Sequence, residues 1–221
     1  MDDLRTSTGL LNQSDAARFL GIPQQTFNHW ARGYQRGKPL LHVLPKQEQR
    51  QASVPFAAMA EAHVLKALRE AGVKPYKIKP ALKKLQQEFG TDYVLLAPEL
   101  ATDGIDVLWD YSRTRAGAGL IEGRTMQGVI REIVVDYLQY VIRDEDGFPA
   151  ILRLDRCLPS DVMMDPQKLF GQPYFAGTRT RVAEAAAMLK AEEEPEVIAD
   201  ELGITIADVR VAARVLLGRA A

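Results

Sequence analysis

Residues 17–32, ARFLGIPQQTFNHWAR, and residues 199–214, ADELGITIADVRVAAR, share one pattern 182 positions apart. Both stretches carry Leu-Gly-Ile at the same places and end in Ala-Arg. The spacing is that of a helix, a tight glycine turn and a second helix. Gly21 and Gly203 can adopt the positive φ that ends the first helix of each pair. The sequence therefore predicts two helix-turn-helix units, and the polar residues of each must decide what it binds.

Length and composition limit the classes of protein that this chain can be. With 221 residues, 47% of them hydrophobic, the chain can bury real cores, in one large domain or in two or three small ones. No run of eighteen apolar residues occurs, and the opening MDDLRTSTGL is polar, unlike a signal peptide. We therefore expect a cytoplasmic protein with no membrane partner.

Cysteine and histidine, the usual zinc ligands together with carboxylates, are few and scattered in the chain. Cys157 is the single cysteine and cannot form an internal disulfide, and the three histidines, His29, His42 and His63, lack the spacing of zinc ligands. The sequence indicates no metal site and no cofactor.

The net charge of −1 hides a division along the chain. Residues 1–90 contain 14 Lys and Arg against 7 Asp and Glu, a net charge of +7, whereas residues 91–221 contain 14 against 22, a net charge of −8. A basic part favours an anionic partner such as nucleic acid, and an acidic part favours a different one. Two ordinary solvated surfaces are the alternative interpretation.

The N-terminal part has the signals of a winged helix-turn-helix. Asn12 can cap the first helix, with Asp15 three residues later, and Pro23 suits the first position of the second helix. Phe27 and Trp30 would share its buried face. GYQRGKPLLHVLP (33–45) then predicts a short hairpin, the wing. Two amphipathic helices follow, VPFAAMAEAHVLKALREAG (54–72) and KPYKIKPALKKLQQEFG (74–90).

The middle of the chain, residues 91–160, has a different character. DYVLLAP (92–98) and GIDVLWDYS (104–112) read as short β-like runs, and RTRAGAGLIEGRT (113–125) reads as a loop. Asp146-Gly147 is a strong hairpin signal between apolar runs, so we expect a small antiparallel sheet. Beyond it, helices are predicted at about residues 181–191, 195–202 and 206–217; Thr205 and Asp208 form a capping box for the last.

No set of catalytic residues is present in the sequence. AGLIEGRT (118–125) imitates a phosphate-binding loop, but Ala118 and Arg124 replace the glycine and lysine that such a loop needs. Cys157 has no evident base beside it. We therefore expect a protein that is not an enzyme.

The two helix-turn-helix units differ in their outward residues. The first carries Arg18 and Arg32 with no acid in residues 17–32, and amides that can bond adenine. The second carries Asp200, Glu201 and Asp208, which phosphates would repel. The first unit fits DNA and the second fits a protein partner. The alternative for the first unit is that its amides only decorate a surface helix.

NQSDAARFLGIPQQTFNHWARGY (12–34) resembles the MerR-like helix-turn-helix group. The resemblance implies that the second helix lies in the major groove and that the wing grips the DNA backbone. With Arg32 at the end of that helix, the predicted DNA-binding residues are Gln24, Gln25, Thr26, Asn28, His29, Arg32, Arg36 and Lys38.

DPQKLFGQPYFAGTRTRV (165–182) and EEPEVIADELGITIADVRVAARVL (193–216) resemble the small helical antitoxin domain catalogued as domain-of-unknown-function family 433. Proteins with this domain resemble VapB-type antitoxins, which pair with PIN-like ribonuclease toxins. The resemblance implies inhibition by covering an acidic, metal-dependent active site, and the candidate toxin contacts are Tyr174, Phe175, Arg179 and Arg181. For Arg179, bracing its own turn is an equal alternative.

The sequence therefore predicts a mainly α-helical protein with a small antiparallel β part. Its expected units are a winged helix-turn-helix domain (1–90), a linker with a small β-sheet (91–160) and a helical, helix-turn-helix-like domain (161–221). The predicted function is that of a type II antitoxin that binds a PIN-like ribonuclease toxin and represses its own operon, as a homodimer on operator DNA. The alternative is a stand-alone MerR-like regulator with a C-terminal protein- or ligand-binding domain.

Overall fold

The computed structural model describes residues 3–34, 38–46, 48, 51–121 and 127–218. Within these residues the fold is mainly α-helical with one small antiparallel sheet, as the sequence predicts. The α-helices are α1 (Leu4–Ser7), α2 (Gln13–Leu20), α3 (Gln24–Arg32), α4 (Phe56–Glu70), α5 (Pro75–Phe89), α6 (Asp103–Ser112), α7 (Gln127–Leu138), α8 (Val182–Lys190), α9 (Pro195–Leu202) and α10 (Ile206–Ala212). The strands are β1 (Val141–Arg143), β2 (Pro149–Arg153), β3 (Val162–Met164) and β4 (Tyr174–Phe175).

The first helix-turn-helix forms from α2 and α3 through local interactions that the sequence predicts. The Asn12 side chain accepts the Asp15 amide at 2.9 Å and so caps α2. Gly21 ends α2 with a φ of 65°. Phe27 and Trp30 of α3 are fully buried. Their burial fixes the rotation of α3 about its axis, and the polar residues of α3 therefore face outward.

Helix α4 is the central helix of the fold. Most of its residues are buried, and they lie on all faces of the helix. Helix α4 packs against α1, α2, α5, α7 and β2. A helix that is apolar all round belongs inside a protein or a membrane. No helix in the described part of the chain is both long enough and apolar enough to cross a membrane.

The prediction of a hairpin wing is wrong for the described part of that segment. Residues 38–46 contain no strand, and residues 35–37 lie outside the described residues. Leu40 and Leu41 are both buried, and their amides donate to the Trp30 carbonyl at 2.8 and 3.3 Å. These two hydrogen bonds to one carbonyl hold the segment as a coil against the end of α3.

Two β-like runs in the middle of the chain are helical, so that prediction is also wrong. DYVLLAP contains the 3₁₀ turn Val94–Leu96, and GIDVLWDYS lies within α6. Ile105 and Leu108 are three apart and both buried, which is helical periodicity. Ile130 and Val134, four apart in α7, follow the same rule. Short apolar runs do not by themselves separate a buried helix from a strand.

The four strands form one antiparallel sheet in the order β1-β2-β3-β4. The Asp146-Gly147 turn joins β1 to β2, as predicted, and the Gly147 amide donates to the Asp144 carbonyl at 2.9 Å. Strand β3 pairs Val162 with Phe175 of β4. The sheet joins residues on both sides of the boundary expected at residue 160, and the three-part division stays a prediction.

The second helix-turn-helix consists of α9 and α10, with α8 packed against both. Gly203 ends α9 with a φ of 63°. The Thr205 hydroxyl accepts the Asp208 amide at 3.1 Å, and the Asp208 carboxylate accepts the Thr205 amide at 2.9 Å. The three C-terminal helices and this capping box agree with the prediction from the sequence.

The two helix-turn-helix units contact each other. The turn Ala213–Leu217 after α10 packs on α2, and the Arg214 guanidinium donates to the carbonyls of Arg156 and Leu158 at 3.1 and 2.7 Å. A β-carbon at Gly21 would lie 2.6 Å from Cδ of Arg156. The missing side chain at Gly21 therefore makes room for Arg156 between the two units.

Candidate nucleic-acid interface and partner surface

The outward face of α3 carries six of the residues predicted to contact DNA. They are Gln24, Gln25, Thr26, Asn28, His29 and Arg32. Thr26 and Asn28 are half-buried and the other four are exposed. Amide side chains on such a face can bond bidentately to adenine in the major groove. The geometry of α3 is therefore suited to reading base edges.

A polar cleft of about 640 Å³ lies beside α3. Gln24, Asn28 and Arg32 follow one another at intervals of four residues along α3, and all three line the cleft. The remaining lining side chains come from α2, its cap and more distant segments: Asn12, Gln13, Ser14, Asp15, Arg18, Lys46 and Lys190. Four of the lining residues are cationic and one is acidic, so the cleft attracts anions such as phosphate.

Two predicted DNA contacts follow α3 in the chain. Arg36 lies outside the described residues. Lys38 is exposed but lines a different cavity, beside α5, and does not line the cleft. Tyr34 holds the end of α3 because it accepts the Trp30 indole N–H at 3.1 Å and its ring lies 5.2 Å from that of His29. The structure therefore brings Gln24, Asn28 and Arg32 together and leaves Lys38 apart.

The predicted toxin contacts on β4 are buried in this conformation. Tyr174 is 5% exposed and Phe175 is 2% exposed, since β4 forms the edge of the sheet beside β3 and its side chains enter the core. Tyr174 nevertheless lines the cavity that Arg179 also lines, whereas a partner could reach Phe175 only if β4 left the sheet. Their role in toxin binding stays a prediction.

The two predicted arginines lie in different environments. Arg181 donates to the Glu184 carboxylate at 2.6 and 2.9 Å, and its backbone amide donates to the same group. Arg179 is exposed and has no hydrogen bond or ion pair with any described residue. Thr178 braces the turn instead, through its hydroxyl bonded to the Phe175 carbonyl at 2.9 Å. Arg179 is therefore the arginine that is available to a partner.

Phe170 is an exposed aromatic residue in the segment before β4. Phe170 is 88% exposed, and its φ of 57° is in the left-handed region, as is the φ of 48° at Leu169. Positive φ is uncommon for residues other than glycine and is strained for bulky ones. Leu169, Lys168 and Arg179 line one cavity of about 680 Å³. Together these residues form a surface with apolar and cationic groups that lies apart from the α3 cleft.

The single cysteine is buried and unreactive. Cys157 is fully buried, and burial raises the pKa of its thiol to about 12. The thiol is therefore protonated at neutral pH, and because only a thiolate acts as a nucleophile, Cys157 is unreactive. Residues 122–125 of the loop-like stretch AGLIEGRT lie outside the described residues.

Two family models match separate parts of the chain. Residues 9–82 match a family described as "Putative DNA-binding HTH domain". Residues 162–214 match a family described as "Protein of unknown function (DUF433)". The first match contains the α2-α3 unit and the cleft residues of that unit, and the second runs from β3 to the residue Arg214.

A relative from Mycobacterium tuberculosis (strain ATCC 25618 / H37Rv) matches nearly the whole chain. It is described as "Putative antitoxin VapB45", is 35% identical over 220 residues and covers 92% of this chain and 92% of its own. The chain belongs to the VapB45 family. A second relative from that organism, "Uncharacterized protein Rv2308", is 26% identical and covers 89% of this chain and 85% of its own. The crystal structure of Rv2018 from Mycobacterium tuberculosis has a TM-score of 0.75 and 32% identity, covering 95% of this chain and 99% of that chain.

Membership of the VapB45 family confirms the predicted resemblance to VapB-type antitoxins. The family matches also confirm a DNA-binding helix-turn-helix domain near the N-terminus and a DUF433 segment near the C-terminus. The MerR-like character, the homodimer and the PIN-like partner stay predictions.

Sequence reasoning missed several exposed or cleft-lining residues of this VapB45 family member. Arg18 counts as a charge that favours DNA but is not named among the predicted contacts, and its outward place on α2 follows from helical periodicity. Lys190 could not be found in this way, because only the tertiary fold brings the end of α8 to the cleft beside α3. Phe170 carried one signal, a bulky residue directly before Gly171 in a turn-rich segment.

Proposed function

We propose that this chain is the antitoxin of a type II toxin-antitoxin system. It binds operator DNA through α3 and the adjoining cleft, represses its own operon, and neutralises a PIN-like ribonuclease toxin by direct binding. Its action on the toxin is occlusion and involves no catalysis. The observation that carries the proposal is the cationic cleft beside a base-reading helix, in a chain related over 92% of its length to a protein named as an antitoxin.

For DNA binding, the support is that the cleft contains both cationic and amide side chains, which can contact different parts of DNA. Arg18, Arg32 and Lys190 offer charge to phosphates, and each phosphate contact releases counterions. Gln24 and Asn28 offer amides to base edges, at about 1–3 kcal/mol of discrimination for each good pair. Charge therefore supplies affinity and the amides supply sequence preference.

For toxin binding, the support comes from the surface that contains Arg179 and Phe170. A guanidinium without a partner on its own chain can bond a carboxylate bidentately. The exposed Phe170, which follows the cavity-lining Leu169 in the chain, resembles the aromatic anchors that dominate protein interfaces. The ribonuclease would offer acidic active-site residues to Arg179 and an apolar pocket to Phe170.

We also propose that the chain acts on DNA as a homodimer. A single helix-turn-helix reads one half-site, and dimers place two reading helices about 34–36 Å apart, one turn of the double helix. Light scattering of the protein bound to its upstream DNA should give two chains per operator.

The test of the antitoxin role uses the protein encoded beside this chain. That protein is purified alone and its cleavage of RNA is measured with and without an equimolar amount of this chain. We expect the chain to abolish cleavage and Arg179→Ala to restore part of it. Arg115→Ala, which removes another exposed arginine outside the second helix-turn-helix unit, is the matched control and should inhibit fully. Undiminished cleavage in the presence of the unaltered chain would contradict the proposal.

A further inference from the structure

A cavity of about 720 Å³ lies between α5, the coil after α3 and the turn Val94–Leu96. Its walls are mostly apolar and include Leu40, Leu82, Val94 and Leu95. Pockets that bind small molecules have volumes of about 300–1,000 Å³, apolar walls and a few placed polar groups. The size and lining of this cavity fit that class.

The polar groups inside the cavity are a buried glutamate and a histidine. The Glu61 side chain is 2% exposed, and its carboxylate accepts the His42 amide at 2.9 Å and lies 2.6 Å from Nδ1 of His42. Burial raises the pKa of Glu61, and the hydrogen bond to Glu61 raises the pKa of His42. The His42 ring also packs on Tyr93, with 4.5 Å between centroids. The buried Glu61 carboxylate is therefore paired with His42 and has hydrogen bonds within the chain.

Three lysines line the cavity. Lys79 and Lys83 lie four residues apart on α5, and Lys38 approaches from the coil. None of the three forms an ion pair with a described residue, and Asp92 is the other charged residue of the rim. Burial and the charge of Lys38 both lower the pKa of Lys79, whose ammonium donates to the Pro39 carbonyl at 3.1 Å.

This arrangement of like charges is unfavourable by itself. Two cations at i and i+4 on a helix repel each other. A third cation nearby adds to the repulsion. An anion between the three ammonium groups would remove the repulsion and gain three favourable charge contacts.

We propose that this cavity binds a small organic anion with an apolar body. The acidic head group lies between Lys38, Lys79 and Lys83, and the apolar body lies against Leu82 and Leu95. The site does not depend on the antitoxin role or on DNA, so it can succeed or fail independently of both. Its ligand would contact the coil whose Leu40 amide bonds the last turn of α3.

The experiment is calorimetric titration of the full chain with three ten-carbon probes: decanoate, decyl phosphate and decanol. We expect one molecule of at least one anion to bind per chain, and decanol to bind at least tenfold more weakly. The tighter anion identifies the head group as a carboxylate or a phosphate. Failure of both anions to bind, or equal binding of decanol, would overturn the proposal.

The location is tested with matched lysine variants of α5. Lys79→Gln with Lys83→Gln should weaken the anion at least tenfold, which is about 1.4 kcal/mol. Lys84→Gln, one residue along the same helix and outside the cavity, should bind as the unaltered chain does. All these positions are at the surface or near it, and equal melting temperatures would confirm that folding is preserved. Equal affinity in the double variant and in Lys84→Gln would overturn the assignment.

Discussion

The two helix-turn-helix units of this chain share a backbone and differ in nearly every outward residue. Residue n of the first unit corresponds to residue n + 182 of the second. Arg18 corresponds to Asp200, and Asn28 corresponds to Arg210. Gly21 and Gly203 both occupy the left-handed region, at φ of 65° and 63°. Equal backbones thus carry opposite charges, and fold similarity alone does not assign the same function to both units.

Arg32 and Arg214 occupy equivalent positions in the two units and have different roles. Arg32 ends α3, is exposed and lines the cationic cleft. Arg214 occupies the equivalent place after α10, where its guanidinium donates to two carbonyls of the segment around Arg156. One arginine is available to a ligand and the other joins two parts of the fold. The surroundings of a residue, and not its place in the motif, determine its role.

The largest expected effect separates the cores of the two units. Trp30 is fully buried, whereas its equivalent is the small Ala212. Trp30→Ala should lower the free energy of unfolding by about 3–5 kcal/mol because it leaves a large cavity. Val209→Ala, at a position that is 1% exposed in the core of α10, removes a much smaller side chain and should cost less, about 1–2 kcal/mol. Urea denaturation measures both, and similar losses would show that the first unit does not depend on its aromatic core.

The next effect separates the outward faces. Asn28→Ala should weaken binding to the DNA upstream of the coding sequence by about 1–3 kcal/mol, because it removes a base contact. Arg210→Ala, at the equivalent position of the second unit, should leave this affinity unchanged. Fluorescence anisotropy with labelled DNA gives both values. A larger loss of affinity in Arg210→Ala than in Asn28→Ala would show that the second unit, and not the first, reads the DNA.

The third effect concerns the two turn glycines. Replacing either glycine by alanine should lower the free energy of unfolding by about 1 kcal/mol, because alanine is disfavoured in the left-handed region. Gly21→Ala should cost more than Gly203→Ala, since its β-carbon would meet Arg156, whereas nothing lies within 4 Å of a β-carbon at Gly203. Thermal unfolding of the two variants makes the comparison. Identical losses would mean that contact between the units contributes nothing at this turn.

The smallest effect separates the two arginines. Arg214→Ala should lower the free energy of unfolding by about 1 kcal/mol because it loses two hydrogen bonds to carbonyls. Arg32→Ala should change this free energy by less than about 0.5 kcal/mol and should weaken DNA binding instead. A destabilisation by Arg32→Ala that exceeds that of Arg214→Ala would reverse the roles assigned here.

The parts of the fold that could be predicted from the sequence are those determined by local interactions. The Asn12 cap, the Gly21 turn, the Asp146-Gly147 hairpin and the Thr205-Asp208 capping box each depend on residues close in the chain. The predicted β-runs before α7 failed because buried short helices and strands have the same apolar composition. The predicted wing failed because Leu40 and Leu41 bond the end of α3.

The candidate site could be predicted only in part for the same reason. The outward amides of α3 follow from one helical period, so Gln24 and Asn28 were found. The contribution of Lys190 depends on how α8 packs beside the first unit, and no local pattern contains that information. The accessibility of Arg179 and the burial of Tyr174 likewise follow from the path of β4 in the sheet.

The salt dependence of DNA affinity tests the central claim most directly. The claim is that the cleft beside α3 binds phosphates while the second unit does not. The slope of log affinity against log salt is negative, and the triple variant Arg18→Ala, Arg32→Ala, Lys190→Ala should make it less steep by about 2.7, since each lost phosphate contact removes about 0.9. A control triple variant with the same loss of charge, Lys84→Ala, Arg115→Ala, Arg210→Ala, should keep the original slope. Equal slopes in the two variants would contradict the account.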